Sequence, residues 1–263
     1  MWSPSQPTAA VEVREPRFLL LGPPVVSGAD RVVVLKPGLR TNLLSLLLAA
    51  RGNPVWDSAL IAELWPRRPP LAAENALQAN ISRLRRDLIG WGLAAGEVGV
   101  RRILVGYVLE CDPRRVDLTH FEVWSRDALR LGATDPEAAL AAGRRALSLW
   151  RGRPLAGLDP PVGVRAMCAR LEERYLQTLE TVAACQLALG RRMEMLEDLS
   201  DLVIRYPYHE RFHELLVEAL FDVGRQDRGI RVYRQFCDRL RDELGVDPSP
   251  RLRSAYSRLL LRN

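Results

Sequence analysis

The chain has 263 residues, of which 48% are apolar and 27% are charged, so it is long enough for one large hydrophobic core or two ordinary ones. This composition excludes a disordered or collagen-like chain. The longest apolar run, residues 43–50, is too short to span a bilayer, and residues 1–10 lack the basic and apolar regions of a secretory signal. We therefore expect a cytoplasmic protein without a membrane partner.

The net charge of +6 is concentrated in the first part of the chain. Residues 1–115 hold 15 Lys and Arg against 10 Asp and Glu, whereas residues 116–263 hold 23 against 22. A basic region favours a polyanionic partner, although an excess of this size also fits an ordinary solvated surface. The four cysteines form no CxxC motif and no glycine-rich phosphate loop is present, so we expect no metal, no cofactor and no enzymatic activity.

The first third of the chain predicts short strands, three helices and a hairpin, in that order. Residues 17–35 alternate β-branched runs with Gly and Pro turns, which is typical of a small antiparallel sheet. The helices are predicted at 39–50, around 60–64 and at 74–88, and the hairpin at 100–110. Asp57 or Ser58 can cap the second helix, and residues 65–70 predict a rigid loop because their prolines exclude a helix. This order matches a winged helix-turn-helix with an extra N-terminal sheet.

From residue 116 onward the pattern is helical almost throughout. The predicted helices are 117–131, 135–149, 162–189, 191–205, 209–223, 226–243 and 249–262. The triplet Leu189-Gly190-Arg191 has a counterpart in Val223-Gly224-Arg225, 34 residues later, and 34 residues is the tetratricopeptide period. We therefore predict a mainly α protein in three parts. These are a flexible segment at 1–16, a winged-helix domain with small antiparallel sheets at 17–112, and an all-α tetratricopeptide-like repeat domain at 116–263.

The third helix has one apolar and one polar face when its residues are placed at intervals of about 100°. Leu77, Ile81, Leu84 and Leu88 share the apolar face, which should pack against the other two helices. The opposite face and its flanks carry amides and guanidiniums that can pair with base edges in a DNA major groove. The residues on this face and its flanks are Asn75, Gln78, Ala79, Asn80, Ser82, Arg83, Arg85 and Arg86. Of these, Arg85 and Arg86 are expected to meet phosphates rather than bases. An ordinary amphipathic helix with a solvated face would show the same pattern.

Residues 75–86 closely resemble the recognition helix of the Streptomyces antibiotic regulatory protein family, and the resemblance extends over nearly the whole chain. The further motifs that carry it are Phe18 to Pro23, Leu60 to Trp65 with Pro69-Pro70, Gly106-Tyr107, Val116-Asp117-Leu118 with His120-Phe121-Glu122, Ala146 to Gly152 with Pro154-Leu155, and Leu244 to Pro250. The resemblance implies an OmpR-type winged helix at 17–112 and a bacterial transcriptional activation domain at 116–263.

The resemblance also implies a function and a set of contacts. Such proteins bind direct repeats in double-stranded promoter DNA and recruit RNA polymerase, here with a secondary-metabolite gene cluster as the implied target. The implied base contacts are Gln78, Ala79 and Arg83, and the implied phosphate contacts are Ser82 and Arg85. Arg101 and Arg102 lie where a wing meets the DNA backbone or the minor groove, and Arg40 is a further predicted DNA contact. Two repeats about one helical turn apart would place two protomers side by side on the duplex.

The loop after the second helix lies where such activators contact polymerase, commonly its sigma subunit. The implied contact residues are Trp65, Arg67, Arg68 and Leu71. Arg67-Arg68 stands where the family usually has an acidic pair. Contact of this loop with DNA therefore stays open as an alternative.

Two other interpretations have to be weighed against a DNA-binding activator. The first is a helical-repeat adaptor in which residues 116–263 form a platform for protein binding. The second is a zinc peptidase, because residues 209–213 fit HExxH, with His209 and His213 as ligands and Glu210 as the base. No histidine follows His213 to provide a third ligand, so we interpret the motif as a coincidence within a helical repeat.

Overall fold

The computed structural model describes residues 17–28, 31–93 and 98–261, and the predicted flexible segment at 1–16 lies outside them. The chain divides into two compact units. The N-terminal unit contains the described residues up to Trp124 together with Arg145–Tyr175, and the C-terminal unit contains Ser125–Arg144 and the described residues from Leu176 onward. None of the described helices has both the length and the apolar character that a membrane crossing requires.

The N-terminal unit begins with a three-stranded antiparallel sheet. Its strands β1 (Arg17–Leu19), β2 (Val25–Ser27) and β3 (Val32–Val34) are paired in chain order, with Phe18 opposite Val26. Both of these side chains are buried, whereas Val32 and Val34 on the edge strand are exposed. The predicted small sheet at 17–35 is therefore confirmed.

Three helices and a second sheet follow. The helices are α1 (Leu39–Ala49), α2 (Asp57–Leu64) and α3 (Ala73–Gly90), and the strands are β4 (Val55–Trp56), β5 (Val98–Ile103) and β6 (Gly106–Cys111), in the order β4-β6-β5. Gly106 is required at the β4–β6 contact, because a Cβ there would lie 2.2 Å from the carbonyl oxygen of Val55. The strands, the three helices and the hairpin are all confirmed, with bounds shifted by one to three residues.

The predicted cap of the second helix is wrong. Trp56 occupies the N-cap position of α2, and no side chain caps the helix. Asp57 lies one residue inside the helix, and its carboxylate instead accepts a hydrogen bond from Arg102 at 2.8 Å. A capping carboxylate must belong to a residue with extended backbone, and the chain places Trp56 there.

The core of the N-terminal unit continues beyond residue 112. The next helices are α4 (Asp117–Leu131), α5 (Pro136–Leu147) and α6 (Val162–Ala188), after a short 3₁₀ helix at Pro113–Arg115. The side chains from this region that join the same buried cluster as Phe18 and Leu43 are Val116, Leu118, Phe121, Ala146, Leu155, Val164, Met167 and Leu171. This compact unit therefore includes part of the chain that the sequence groups with the helical repeats.

Asp117 connects the start of α4 to the end of β1. Its carboxylate accepts hydrogen bonds from the backbone N–H of Leu20, at 2.9 and 2.8 Å to its two oxygens, and from that of Leu21 at 3.0 Å. The side chain is buried, and the nearest cation is Arg151, whose guanidinium lies 3.9 Å away. Burial raises the pKa of this carboxyl, and the hydrogen bonds and Arg151 oppose that shift.

The C-terminal unit contains four further helices. These are α7 (Arg192–Arg205), α8 (Glu210–Asp222), α9 (Gln226–Arg239), which continues as a π-helical turn at Leu240–Leu244, and α10 (Pro250–Leu261). The two glycines of the 34-residue repeat, Gly190 and Gly224, have φ values of +71° and +76° and end α6 and α8 in the same way. In each case the next residue, Arg191 or Arg225, donates its N–H to the carbonyl five residues earlier. The predicted fold class, mainly α with small N-terminal antiparallel sheets and helical repeats, is confirmed.

Candidate nucleic-acid interface

Helix α3 presents one apolar and one polar face, as predicted. Leu77, Ile81, Leu84 and Leu88 are buried in the core of the N-terminal unit. The residues on the outer face and its flanks are exposed, except that Asn80 is half-buried; the exposed ones are Asn75, Gln78, Ala79, Ser82, Arg83, Arg85 and Arg86. The outer face of α3 is therefore free of contact with the unit's own core.

Arg85 connects one flank of α3 to the β5–β6 hairpin, which is the predicted wing. Its Nε donates a hydrogen bond to the carbonyl oxygen of Val100 in β5 at 2.8 Å, while the rest of the side chain stays exposed. Ser82 and Asn80 donate back to the helix itself, to the carbonyls of Gln78 at 2.9 Å and Ala76 at 2.8 Å. The position of Arg85 relative to the hairpin is thus held by the protein before any DNA is bound.

Both wing arginines are paired with carboxylates. Arg102 donates to Asp57 at the start of α2, and its guanidinium carbon lies 4.7 Å from the ring centroid of Tyr107 on the neighbouring strand. Arg101 pairs with Glu110 across the hairpin. Exposed ion pairs contribute only about 0–1 kcal/mol, so a phosphate can replace the carboxylate as partner at small cost.

Arg40, at the start of α1, forms an ion pair with Asp87 of α3 at 2.5 Å. Asp57, Asp87 and Glu110 are carboxylates that sequence reasoning did not connect with the interface. The first two are 45 and 47 residues from their arginines, so no local spacing indicates them, whereas Glu110 is nine residues from its partner across the predicted hairpin. Cross-strand pairing could have identified that third pair.

The loop that follows α2 extends from the core into solvent. Trp65 is half-buried and packs against the core of the N-terminal unit, whereas Leu71 is fully exposed. Arg67 and Arg68 are exposed as well. The loop therefore presents an apolar side chain beside two exposed cations.

The three residues of the HExxH motif contact different partners and do not form a common site. His209 Nε2 lies 2.7 Å from Glu180 Oε1, and Glu210 accepts the backbone N–H of Ser249 at 3.0 Å. The His213 ring is buried and stacks on Phe236 at a centroid distance of 4.0 Å. Within the described parts of the chain, no three potential ligand side chains are grouped around one point.

Comparison with known proteins identifies the C-terminal region. A family described as the bacterial transcriptional activator domain matches residues 116–260. The chain is 34% identical to the transcriptional regulator RedD of Streptomyces coelicolor over 245 residues, covering 93% of this chain and 70% of that protein. It is also 34% identical to the regulatory protein DnrI of Streptomyces peucetius over 224 residues, covering 83% of this chain and 82% of that protein.

A solved structure is similar over both units. It is that of Mycobacterium tuberculosis EmbR in complex with a low-affinity phosphopeptide, with a TM-score of 0.84 and 28% identity over 94% of this chain. The match spans 65% of that EmbR chain. Together with the match over residues 116–260 and the similarity to RedD and DnrI, this shows that the chain belongs to the Streptomyces antibiotic regulatory protein family of transcriptional activators.

Proposed function

We propose that the protein is a sequence-specific activator that binds direct repeats beside a promoter through α3 and the β5–β6 wing, and that it recruits RNA polymerase. The observation that supports this most directly is the exposed, polar and cationic outer face of α3, whose apolar face is held in the core. A bacterial promoter and its polymerase meet in the cytoplasm, where the protein would act. A secondary-metabolite cluster is the proposed target.

In this proposal the two sides of α3 have different tasks. Gln78, Ala79 and Arg83 face base edges, where a good bidentate pair contributes about 1–3 kcal/mol of discrimination. Arg85 contacts the phosphate backbone, because its hydrogen bond to Val100 holds it toward the wing. Arg102 joins it by exchanging Asp57 for a phosphate. Two protomers bound to successive repeats would lie side by side on the duplex.

Footprinting on the promoters near the protein's own gene, with and without RNA polymerase, tests this function. We expect protection of two direct repeats about one helical turn apart, and an extended footprint when polymerase is added. Affinity should fall steeply with salt, because phosphate contacts release counterions. Protection that ignores sequence, or that polymerase leaves unchanged, would contradict the proposal.

Arg83→Ala and Arg85→Ala should have different effects on binding. Arg83→Ala should reduce the preference for the repeat over random DNA by about 1–3 kcal/mol, whereas Arg85→Ala should weaken both by a similar factor. Fluorescence anisotropy with both DNAs at matched salt measures this. Arg170→Ala, which removes an exposed arginine of α6 in the same unit, is the control for lost charge. Equal losses on both DNAs for Arg83→Ala would remove the proposed base contact.

The loop after α2 is the proposed polymerase contact, with Leu71 as its apolar centre. Leu71→Asp should abolish most activated transcription in a purified system while the footprint on the repeat is unchanged, because the fully exposed Leu71 has no role in the core. Val123→Asp changes an exposed apolar side chain of α4 in the same way and serves as the control. A loss of DNA affinity in Leu71→Asp would instead favour contact of this loop with DNA.

The helical-repeat adaptor is separable from the activator by point variants. Deleting residues 1–115 is a poor test, because Val116, Phe121 and Met167 share the core that the deletion would remove. An Arg83→Ala/Arg86→Ala protein leaves that core intact. Full activity of this protein in cells would favour an adaptor whose main task is protein binding.

A further inference from the structure

A cationic groove lies beside the C-terminal half of α3. It is open to solvent and has a volume of about 640 Å³. The residues that line it are Arg31, Arg40, Arg83, Arg86, Asp87, Gly90 and Trp91. Two of the four arginines come from α3, one from the start of α1 and one from the segment that leads into β3. Arg31 has no counterpart among the contacts expected from the sequence.

Arg31 reaches the groove because the end of β2 packs directly on the end of α3. A Cβ at Gly28 would lie only 1.9 Å from the carbonyl oxygen of Trp91, so the two backbones touch. The N–H of Gly28 donates to the carbonyl of Arg31 at 2.8 Å, which connects the backbone of Arg31 to the end of β2. The N-terminal sheet thereby holds a guanidinium next to the helix that carries Arg83 and Arg86.

The charges of the groove are unbalanced. Asp87 is the single carboxylate among the described residues that line it, and that carboxylate is paired with Arg40. Arg31, Arg83 and Arg86 are exposed, and none of them forms an ion pair with another described residue. The C-terminus of α3 adds only about half a negative charge, which three unpaired guanidiniums outweigh.

We propose that this groove is a phosphate-binding site in which Arg31 and Arg86 hold one phosphate group, beyond the base contacts of α3. Guanidinium groups match phosphate oxygens in a bidentate geometry, and the volume accommodates a phosphate with its attached sugar. If the phosphate belongs to the DNA backbone next to the repeat, the site rests on the proposed function. A phosphorylated small molecule offers the same chemistry, and it would compete with DNA because Arg83 and Arg86 are shared.

Arg31→Ala tests the DNA source. In the intact protein, the slope of log affinity against log salt should become shallower by up to about 0.9, the value for one phosphate contact on B-DNA that is lost completely. In a scan of the repeat with single methylphosphonate substitutions, one position should weaken binding of the wild type at least several-fold. The same position should weaken binding of Arg31→Ala by a clearly smaller factor, because only Arg86 still contacts that phosphate there. Arg170→Ala removes the same charge from a residue outside the groove lining. This control should have the salt slope of the wild type and respond to the methylphosphonates as the wild type does.

Calorimetric titration with inorganic pyrophosphate, at constant ionic strength, tests the other source. Pyrophosphate could bind saturably to the wild type but not to Arg31→Ala or Arg86→Ala, while the methylphosphonate scans of wild type and Arg31→Ala are the same. This result would assign the site to a small phosphorylated ligand. If neither the scan nor the titration distinguishes Arg31→Ala from the wild type, the site does not exist. If the proposed activator function is wrong, the result is different, because the wild type itself would then show no preference for a repeat.

Discussion

Asp117→Ala should lower the free energy of unfolding of the N-terminal unit by about 2–6 kcal/mol, because two buried backbone N–H groups would lose their acceptor at about 1–3 kcal/mol each. The groups are those of Leu20 and Leu21, just after β1, and the substitution also removes the hydrogen bonds that connect the start of α4 to this strand. Because the same core holds α3, DNA binding should fail at a lower urea concentration in this variant. An effect of this size would reduce DNA binding under mildly denaturing conditions, although Asp117 lies outside the DNA interface.

Tryptophan fluorescence during urea unfolding measures this, because each tryptophan that the structure describes lies in the N-terminal unit. A Trp2→Phe background removes the one tryptophan outside the described residues. Asp112→Ala is the matched control, since that side chain is half-buried and accepts hydrogen bonds from Arg114, two residues away, rather than from the first sheet. The same midpoint for Asp117→Ala and Asp112→Ala would show that the buried carboxylate does not hold the sheet to α4.

His213 should make the C-terminal unit lose stability in mild acid. The pKa of its imidazole is lowered to about 4, from an unfolded value near 6.5, and burial is the main cause. The charges of Arg239 and His209 act in the same direction, whereas the hydrogen bond to the carbonyl of His209 and the charge of Glu210 oppose the shift. The unfolded chain therefore takes up the proton first as pH falls. Stability from this group is complete above pH 6.5 and is lost progressively down to about pH 4, with a total of about 3 kcal/mol.

Two non-titrating replacements isolate this contribution from the other acidic and basic groups. The stability of wild type relative to His213→Gln, and relative to His213→Phe, should decrease by the same amount between pH 7 and pH 4. The two variants will differ at pH 7, because Gln can still donate to the carbonyl of His209 and Phe can still stack on Phe236. Urea unfolding followed by far-UV circular dichroism gives both series. A wild-type difference that is independent of pH would mean that His213 is protonated as readily when folded as when unfolded.

The helices of this protein could be predicted because their signals are local. The period of Leu77, Ile81, Leu84 and Leu88 identifies the buried face of α3, and the opposite residues are consequently exposed. The glycines at 190 and 224 mark helix ends because left-handed backbone strongly favours glycine. Helix bounds in the C-terminal unit were accordingly within a few residues of those observed.

The environment of the arginines could not be predicted in the same way. Arg40 and Arg102 pair with carboxylates that lie 47 and 45 residues away in sequence. No local sequence pattern indicates pairs at such separations. The number of free cations on the interface is therefore smaller than the composition suggests. Arg83 and Arg86 are available because no acidic side chain that the structure describes forms an ion pair with them.

The sequence by itself determined the order of elements, the two faces of α3 and the family, since hydrophobic period, turn residues and short motifs are properties of neighbouring residues. Only the tertiary structure decided which cations stay available, that Arg31 stands beside α3, and that Asp117 and its following helix join the first core. These depend on contacts between residues that are distant in the chain, and such contacts are determined by the packing of the whole unit rather than by any local pattern.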